Sequence, residues 1–376
     1  MSAMLETLAP APQADDTAAI VLEQTDRLLA QHVTPACLTA ADAGTWAADA
    51  WAALEQAGLP LALVPEEAGG VGLSPAVAAQ VMRRTGYHAL PVPLPETMIA
   101  NALWVDAGGD PIEGPTTLAP DCGSARLTRS GSGWVLSGTL PRVPWGAAAQ
   151  HVLLTAAGDL GEGHLVLLPH GAHAVRTRRN LANEPRDSLD LSGVVLADQQ
   201  VRPLPSSVAA AGEDGLMLFG AYIRAQQMAG AMERCLDFAL AYANERKQFG
   251  RPIGRFQAIQ HMLAEAAGHS AAAGAAAQVA ARAYGGSHFP FAAAIAKARA
   301  GEAAGRVAEI CHQVHGAMGF THEHPLHFFT RRLWAWRDEY GREAHWQAKI
   351  GNAVCAAGGE ALWPMLVAMR AGTAQG

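Results

Sequence analysis

Residues 244–265, NERKQFGRPIGRFQAIQHMLAE, place positive charge at a break in a helical pattern. Apolar residues recur there at spacings of three and four, as the buried face of a helix requires. These residues are Phe249, Ile253, Phe256, Ile259 and Leu263. One proline and two glycines interrupt the face, and a continuous helix would not carry them. Arg246, Lys247 and Arg251 therefore meet at a corner between two helices, where they could form a basic pocket for an anionic cofactor.

Five histidines cluster in residues 312–327 and raise the question of a metal site. They are His312, His315, His322, His324 and His327. His312 and His315 lie one helical turn apart, a spacing that zinc ligands can use. No cysteine pair and no HExxH pattern accompanies them, so the sequence predicts no metal site.

Composition narrows the class of protein. The chain has 376 residues, a net charge of −7 and a pI near 6.1, which argues against a nucleic-acid-binding surface. No uninterrupted apolar run is long enough to span a bilayer, and the first thirty residues lack the basic start and apolar block of a signal peptide. The cysteines form no CxxC pair, which favours a reducing compartment. We therefore expect a cytoplasmic protein without membrane insertion.

The elements that must position these groups fall into three blocks. Residues 1–115 are rich in alanine and leucine with helical periodicity, and Ser74-Pro75 is a typical N-cap and first-turn pair. Residues 116–205 contain short apolar runs between glycine clusters, which is the pattern of strands and turns. Helical periodicity returns over residues 206–376. The sequence predicts a mostly α-helical protein with a middle β domain, divided into these three domains.

Three motifs, together with this order of blocks, resemble the acyl-CoA dehydrogenase superfamily over nearly the whole chain. Residues 244–265 match its RxxFGxxIxxFQxIQxxLA signature, and LALVPEEAGGVGLS, residues 61–74, matches its N-terminal VPEExGGxG turn. Residues 312–325, HQVHGAMGFTHEHP, match its Gln-x-x-Gly-Gly-x-Gly turn, with Ala317 in place of the second glycine. The resemblance implies an N-terminal α domain, a β-barrel-like middle domain and a C-terminal four-helix bundle.

The resemblance also implies that FAD binds at the helix–loop–helix corner, often across a subunit boundary. Arg246 and Phe249, with the adjacent Gln248, would hold the pyrophosphate and adenine side, since an arginine can donate two parallel hydrogen bonds to a diphosphate. The glycine turn would supply the other half of the cradle through Gln313, His315, Gly316 and Gly319. A structural role is the alternative for both segments, because Arg246 could only complement the helix dipole and the glycines could only end one helix and begin the next.

The implied reaction removes two hydrogens from an acyl-CoA thioester. A carboxylate takes the α-proton, so it must be negative at neutral pH in a dry pocket that raises its pKa. Gapless matching puts Tyr340 at the base position of the commonest family branch and Gly220 at that of a second branch. Glu339, one residue away from the first position, is the candidate catalytic base; alternatively it is a solvated acid at a helix end.

Other family features are missing from the sequence. The TEPxAGSD and WIT motifs that hold the flavin ring correspond here to TTLAPDCGSARL, residues 116–127, and LPRVPWGAA, residues 140–148. Only Trp145 survives from those motifs. Arg224 is the nearest substitute for the Asp and Arg contact that the family makes to CoA, and it is the candidate substrate-binding residue.

These matches and gaps leave three functional hypotheses. The first is an FAD-dependent acyl-CoA dehydrogenase that passes electrons to an electron-transferring flavoprotein. The second is a catalytically silent partner subunit of a heteromeric acyl-CoA dehydrogenase, and the third is a flavin oxidase or monooxygenase on the same fold. The alanine-rich C-terminal block, which the family uses as its subunit interface, predicts an oligomer, either a homotetramer or a hetero-oligomer with a related chain.

Overall fold

The computed structural model describes residues 14–120 and 124–371. Its α-helices are α1 (Ala14–His32), α2 (Pro35–Ala43), α3 (Ala48–Gln56), α4 (Pro75–Tyr87), α5 (Leu94–Asp106), α6 (Ser206–Ala209), α7 (Gly215–Glu245), α8 (Gln257–Ala283), α9 (Phe289–His315), α10 (Leu326–Asp338), α11 (Glu343–Ala357) and α12 (Leu362–Ala371). Its strands are β1 (Thr116–Leu118), β2 (Arg126–Ser130), β3 (Gly133–Ser137), β4 (Thr139–Pro144), β5 (His151–Ala157), β6 (Gly163–Pro169), β7 (Ala174–Arg176), β8 (Arg186–Asp190), β9 (Val194–Ala197), β10 (Val201–Pro203), β11 (Lys247–Gln248) and β12 (Arg251–Pro252). Residues 1–13, where a signal peptide would begin, and residues 121–123 of the segment matched to the flavin motif lie outside the described ranges.

The N-terminal region is helical from α1 to α5. Helix α4 begins as the sequence predicts, because the Ser74 hydroxyl accepts a hydrogen bond from the Val77 amide at 3.4 Å and Pro75 occupies the first turn. The turn before it needs glycine, since Gly69 and Gly72 have φ values of +87° and +66°. Helix α5 is buried on nearly all its faces, so it runs through the interior of the protein.

The middle region forms two sheets. The larger sheet has the strand order β10-β6-β5-β2-β3-β9, with β1 paired in parallel to β5, and the smaller sheet has the order β4-β8-β7. Leucine and valine side chains from both sheets share a core that is separate from the helical core. The predicted fold class, mostly α-helical with a middle β domain, is therefore confirmed.

The C-terminal region is built on the long helices α7, α8 and α9, which pack against one another, and α10 and α11 pack onto α9. Helix α4 crosses α7 at very short distance. A Cβ at Gly230 would lie 1.9 Å from the Arg83 carbonyl oxygen, and one at Gly86 would lie 2.0 Å from that of Gln227. Glycine at both sites therefore allows α4 of the N-terminal region to pack closely against α7 of the C-terminal bundle. Across the described ranges, no helix combines the length and apolar character needed to cross a membrane.

Candidate functional site

The two predicted cofactor segments line one cleft of about 660 Å³. One wall is the corner between α7 and α8, and the other is the turn that follows α9. Six of the seven residues predicted to contact the cofactor line this cleft: Arg246, Gln248, Phe249, Gln313, His315 and Gly316. The two segments are about 65 residues apart in the chain. They meet because α8 and α9 form an antiparallel pair, so the start of α8 lies beside the end of α9.

The α7–α8 corner is a short hairpin of β11 and β12 that projects its side chains into solvent. Phe249 and Gly250 have positive φ values of +50° and +80°, which reverse the chain between the strands. The Phe249 ring is 92% exposed and touches only the edge of Phe256 among the described aromatic rings. The Arg246 side chain is also exposed, and its guanidinium forms no ion pair or hydrogen bond within the described ranges. The corner therefore presents an unpaired cation and an unpacked aromatic ring to the cleft.

The opposite wall, residues 313–318, combines Gln313 and His315 with apolar and small residues and carries no acidic, lysine or arginine side chain. His315 is 2% exposed, its Nδ1 lies 2.7 Å from the Cys311 carbonyl oxygen, and burial lowers the pKa of its imidazole. Burial also lowers the pKa of His324 to about 4. Gly319 does not line the cleft but lies beneath it, where a Cβ would be 3.0 Å from that of His315. No group of three or more potential metal-ligating His, Cys, Asp or Glu residues occurs among the described residues.

The two positions at which the resemblance expects a base face each other. A Cβ at Gly220 would lie 2.0 Å from Cδ1 of Tyr340, so the tyrosine ring fills the space that a side chain from α7 would need. Tyr340 is 4% exposed, and its hydroxyl donates a hydrogen bond to the Leu118 carbonyl oxygen at 3.1 Å. Burial raises the pKa of the Tyr340 phenol far above its usual value, so the group stays protonated. A phenol ring thus occupies the place of the family carboxylate.

Glu339, the candidate base, is held in a network of hydrogen bonds. Arg186 donates to both of its oxygens, from Nε at 2.7 Å and Nη2 at 2.9 Å. Arg224 Nε and Asn180 Nδ2 each donate to it at 2.8 Å. Its side chain is 14% exposed, so the alternative of a solvated helix-end acid is wrong. The two arginines outweigh burial and lower the pKa of Glu339 to about 2, which makes the carboxylate a poor proton acceptor in this arrangement.

Arg224, the candidate substrate contact, has no exposed surface. Besides Glu339 it pairs with Glu96 of α5, whose Oε1 lies 2.9 Å from Arg224 Nη1 and which is also fully buried. The guanidinium is thus fully enclosed and paired within the protein, and the predicted contact with a substrate stays a prediction that would require this buried arrangement to open. The network extends through Arg186 to Glu184, which also accepts hydrogen bonds from Arg332 and from the Trp336 indole.

Sequence comparisons place these features in a family. The models of the acyl-CoA dehydrogenase N-terminal and C-terminal domains match residues 15–108 and 217–337. The acyl-CoA dehydrogenase IpdE2 of Mycobacterium tuberculosis is 31% identical to the chain over 308 residues, which cover 81% of this chain and 87% of IpdE2. The chain belongs to the acyl-CoA dehydrogenase family. The acyl-CoA dehydrogenase FadE34 of the same species is 30% identical over 322 residues, but the match spans only 42% of FadE34.

The fold is also that of the acyl-CoA dehydrogenases. The crystal structure of the ChsE4–ChsE5 complex from Mycobacterium tuberculosis contains a chain that superposes with a TM-score of 0.80. The match covers 92% of this chain and 98% of that chain at 23% identity. Membership of this family supports an oxidoreductase role and makes FAD the cofactor against which the site must be tested.

For an acyl-CoA dehydrogenase chain, the two halves of an FAD molecule fit this structure differently. The cleft at Arg246 fits the adenosine diphosphate half, because it combines a free cation with an exposed aromatic ring and uncharged polar side chains. The described residues of the segments matched to the ring-holding motifs fit the flavin ring less well, because they already make contacts within the protein. Tyr340 is bonded to Leu118 in one of them, and the Arg186 guanidinium lies 5.0 Å from the ring centre of Trp145 in the other.

No local pattern predicts the ion network of Glu96, Arg186, Arg224 and Glu339, which we call the junction. Arg186 and Glu339 are 153 residues apart, and no local pattern connects them. One available signal was Glu96, a carboxylate in the apolar run of α5, since a buried acid requires a buried cation. Arg224 within the apolar face of α7 is the matching signal, although the family resemblance assigns it a role in substrate binding.

Proposed function

We propose that this chain is the non-catalytic subunit of a mixed acyl-CoA dehydrogenase assembly. It would take part in the FAD-dependent α,β-dehydrogenation of an acyl-CoA thioester by holding the adenosine diphosphate half of a partner chain's FAD in the cleft at Arg246. The observation that carries the proposal is the Tyr340 ring, which fills the space beside Gly220 where either family branch would need its base.

The carboxylates near that space support the proposal. A base for the α-proton needs a pKa raised towards neutral pH, whereas the pKa of Glu339 is lowered to about 2. Glu96 is fully buried and paired with Arg224. Freeing either acid for catalysis would remove one member of this buried ion network, a change that is strongly destabilising.

In the assembly, the residues of this chain would bind and orient. Arg246 would donate its fork of N–H groups to the diphosphate, and Phe249 would pack against the adenine. FAD, when bound, supplies the acceptor for the hydride. The partner chain would contribute the flavin-ring site, the base and the acyl-CoA groove, and an electron-transferring flavoprotein would take the electrons. The ChsE4–ChsE5 structure is a complex of two differently named chains, which is the kind of assembly proposed for this chain.

The deciding experiment compares the flavin absorbance of the protein produced alone and co-produced with candidate partner chains of the family. Alone, we expect a folded and colourless protein that shows no flavin bleaching with acyl-CoA under anaerobic conditions. With its partner, we expect a yellow complex that contains fewer flavins than chains and bleaches with a suitable acyl-CoA. Near-stoichiometric flavin and bleaching in the chain alone would overturn the proposal.

That last outcome would favour the self-sufficient dehydrogenase with Glu339 as base. Glu339 is one residue from the family position, and the positive φ of Gly341, +86°, shows how sharply the chain turns beside it. If Glu339 is the base, Glu339→Gln should keep flavin but slow bleaching by at least roughly a hundredfold, the lower range for a positioned general base. Asp338→Asn, which changes an exposed neighbouring acid, is the matched control.

A further inference from the structure

Lys297 is a fully buried lysine whose amine reaches the turn that carries Glu339 and Tyr340. It extends from α9, and its Nζ donates hydrogen bonds to the carbonyl oxygens of Arg337 and Gly341, each at 2.7 Å. The Arg337 carbonyl belongs to the last turn of α10, where helical carbonyls lack partners within the helix. A side chain from another helix therefore caps α10 and also holds the residue that follows Tyr340.

The charged groups around Lys297 are already engaged elsewhere. Glu339 is bonded to Arg186 and Arg224, and Glu343 of α11 accepts from Arg337 at 2.7 Å. The remaining groups that face this region are the exposed Asp338 and the imidazole of His345, which lies beside Gly341. Within the described ranges, Lys297 forms no ion pair. Two carbonyl acceptors satisfy the two N–H groups of a neutral amine, whereas an ammonium group carries a third donor.

We propose that Lys297 is a positioning residue that acts as a neutral amine and fixes the turn in which Tyr340 enters the space beside Gly220. Its two hydrogen bonds set the chain direction at Gly341, so that Glu339 points to the arginines and the phenol ring points to α7. Burial lowers the pKa of Lys297 to about 7, so that both forms of the amine are populated near neutral pH and the neutral form prevails above it. That this turn keeps a catalytic base out of the space beside Gly220 rests on the proposed function.

The first test is a pH titration of the lysine 13Cε resonances in the chain alone. The sequence contains three lysines, Lys247, Lys297 and Lys349, so the spectrum is simple. We expect the resonance of Lys297 to titrate near pH 7. Lys297→Met, which keeps the length of the side chain without its donors, should remove this resonance. A Lys297 midpoint near the ordinary lysine value of about 10 would overturn the inference.

The second test asks whether Lys297 positions Tyr340. The five tyrosines are labelled with 3-fluorotyrosine, and Tyr340→Phe identifies the 19F resonance of Tyr340. We expect this resonance to shift with a midpoint near pH 7 in the parent chain and in a His345→Gln control, but to be independent of pH in Lys297→Met. A shift that persists in Lys297→Met, or that disappears in His345→Gln, would overturn the positioning role.

The outcomes separate this inference from the proposed function. Both spectra are recorded without FAD and without a partner chain, and the lysine titration of the parent chain decides the case if Lys297→Met fails to fold. A flavin-loaded chain with a Lys297 midpoint near pH 7 would overturn the proposed function alone. A colourless chain with a Lys297 midpoint near about 10 would overturn the inference alone.

Discussion

The cleft at Arg246 and the junction at Glu339 carry charge in opposite ways. In the cleft, an exposed arginine has no partner among the described residues, and a phenylalanine is 92% exposed. In the junction, Glu96, Arg186 and Arg224 are at most 4% exposed and every guanidinium faces a carboxylate. One region is arranged to receive an anion from outside, whereas the other already contains its own counterions.

Under the proposed function, this difference explains how a chain can retain half of a shared site. Solvated cations contribute little to the stability of the folded chain, so Arg246 is free to serve a ligand. A buried ion network is strongly destabilised by the loss of a single member, so its residues are fixed by folding itself. The following predictions test this contrast in order of decreasing effect.

Arg224→Met should produce the largest decrease in the free energy of unfolding. It leaves Glu96 and Glu339 buried with fewer cations, and we expect the free energy of unfolding to fall by roughly 3–5 kcal/mol. Urea unfolding followed by circular dichroism measures this change. Arg306→Met is the control, because Arg306 pairs with Glu265 at an exposed site, and it should hardly move the midpoint. Equal shifts in the two variants would contradict the contrast between the regions.

Glu339→Gln should cost stability in a pH-dependent manner. The folded pKa of Glu339 is about 2, below its ordinary value of 4.5, so its stabilising effect is complete above pH 4.5 and is lost as the pH falls towards 2. We expect the free energy of unfolding of the parent to exceed that of the variant by on the order of 3 kcal/mol at pH 7. Unfolding curves between pH 7 and about pH 3 measure the difference. A difference that stays constant over that range would show that the carboxylate is not charged in the network.

Arg246→Ala should weaken retention of FAD in the assembled complex. Loss of a charge-assisted hydrogen bond to phosphate costs about 1.5–3 kcal/mol, or roughly a ten- to hundredfold change in affinity. Flavin released during dilution or gel filtration measures the effect. Arg282→Ala, at an exposed site near the end of α8, is the control and should retain flavin. Unchanged flavin with a lower melting temperature would mean that Arg246 caps α7 and does not bind the cofactor.

Tyr340→Phe should have the smallest effect. The ring still fills the space beside Gly220, and only the hydrogen bond to the Leu118 carbonyl is lost, so we expect a decrease of about 1 kcal/mol in the free energy of unfolding. Thermal unfolding measures it against the parent. A loss above about 3 kcal/mol would show that the hydroxyl, and not the ring, holds the junction closed.

The fold and the cleft could be predicted because their signals are local. The glycine turns, the helix caps and the motif at Arg246 each occupy a short stretch, and family resemblance supplied their order. The filling of the junction could not be predicted, because Glu339 of the C-terminal region meets Asn180 and Arg186 of the middle region across more than 150 residues. The sequence shows that Tyr340 matches the family's base position. Its contact with Gly220 cannot be read from the sequence, because it depends on how α10 and α7 pack.

The contact between Gly220 and Tyr340 also has an evolutionary consequence. A single change of Gly220 to glutamate would drive the new side chain into the tyrosine ring, since even a Cβ would approach it to 2.0 Å. A single change of Tyr340 to glutamate would replace the ring with a smaller carboxylate near the buried Arg224 and Glu96 pair. Regaining a base at either position would therefore require a rearrangement of the space that the Tyr340 ring now fills.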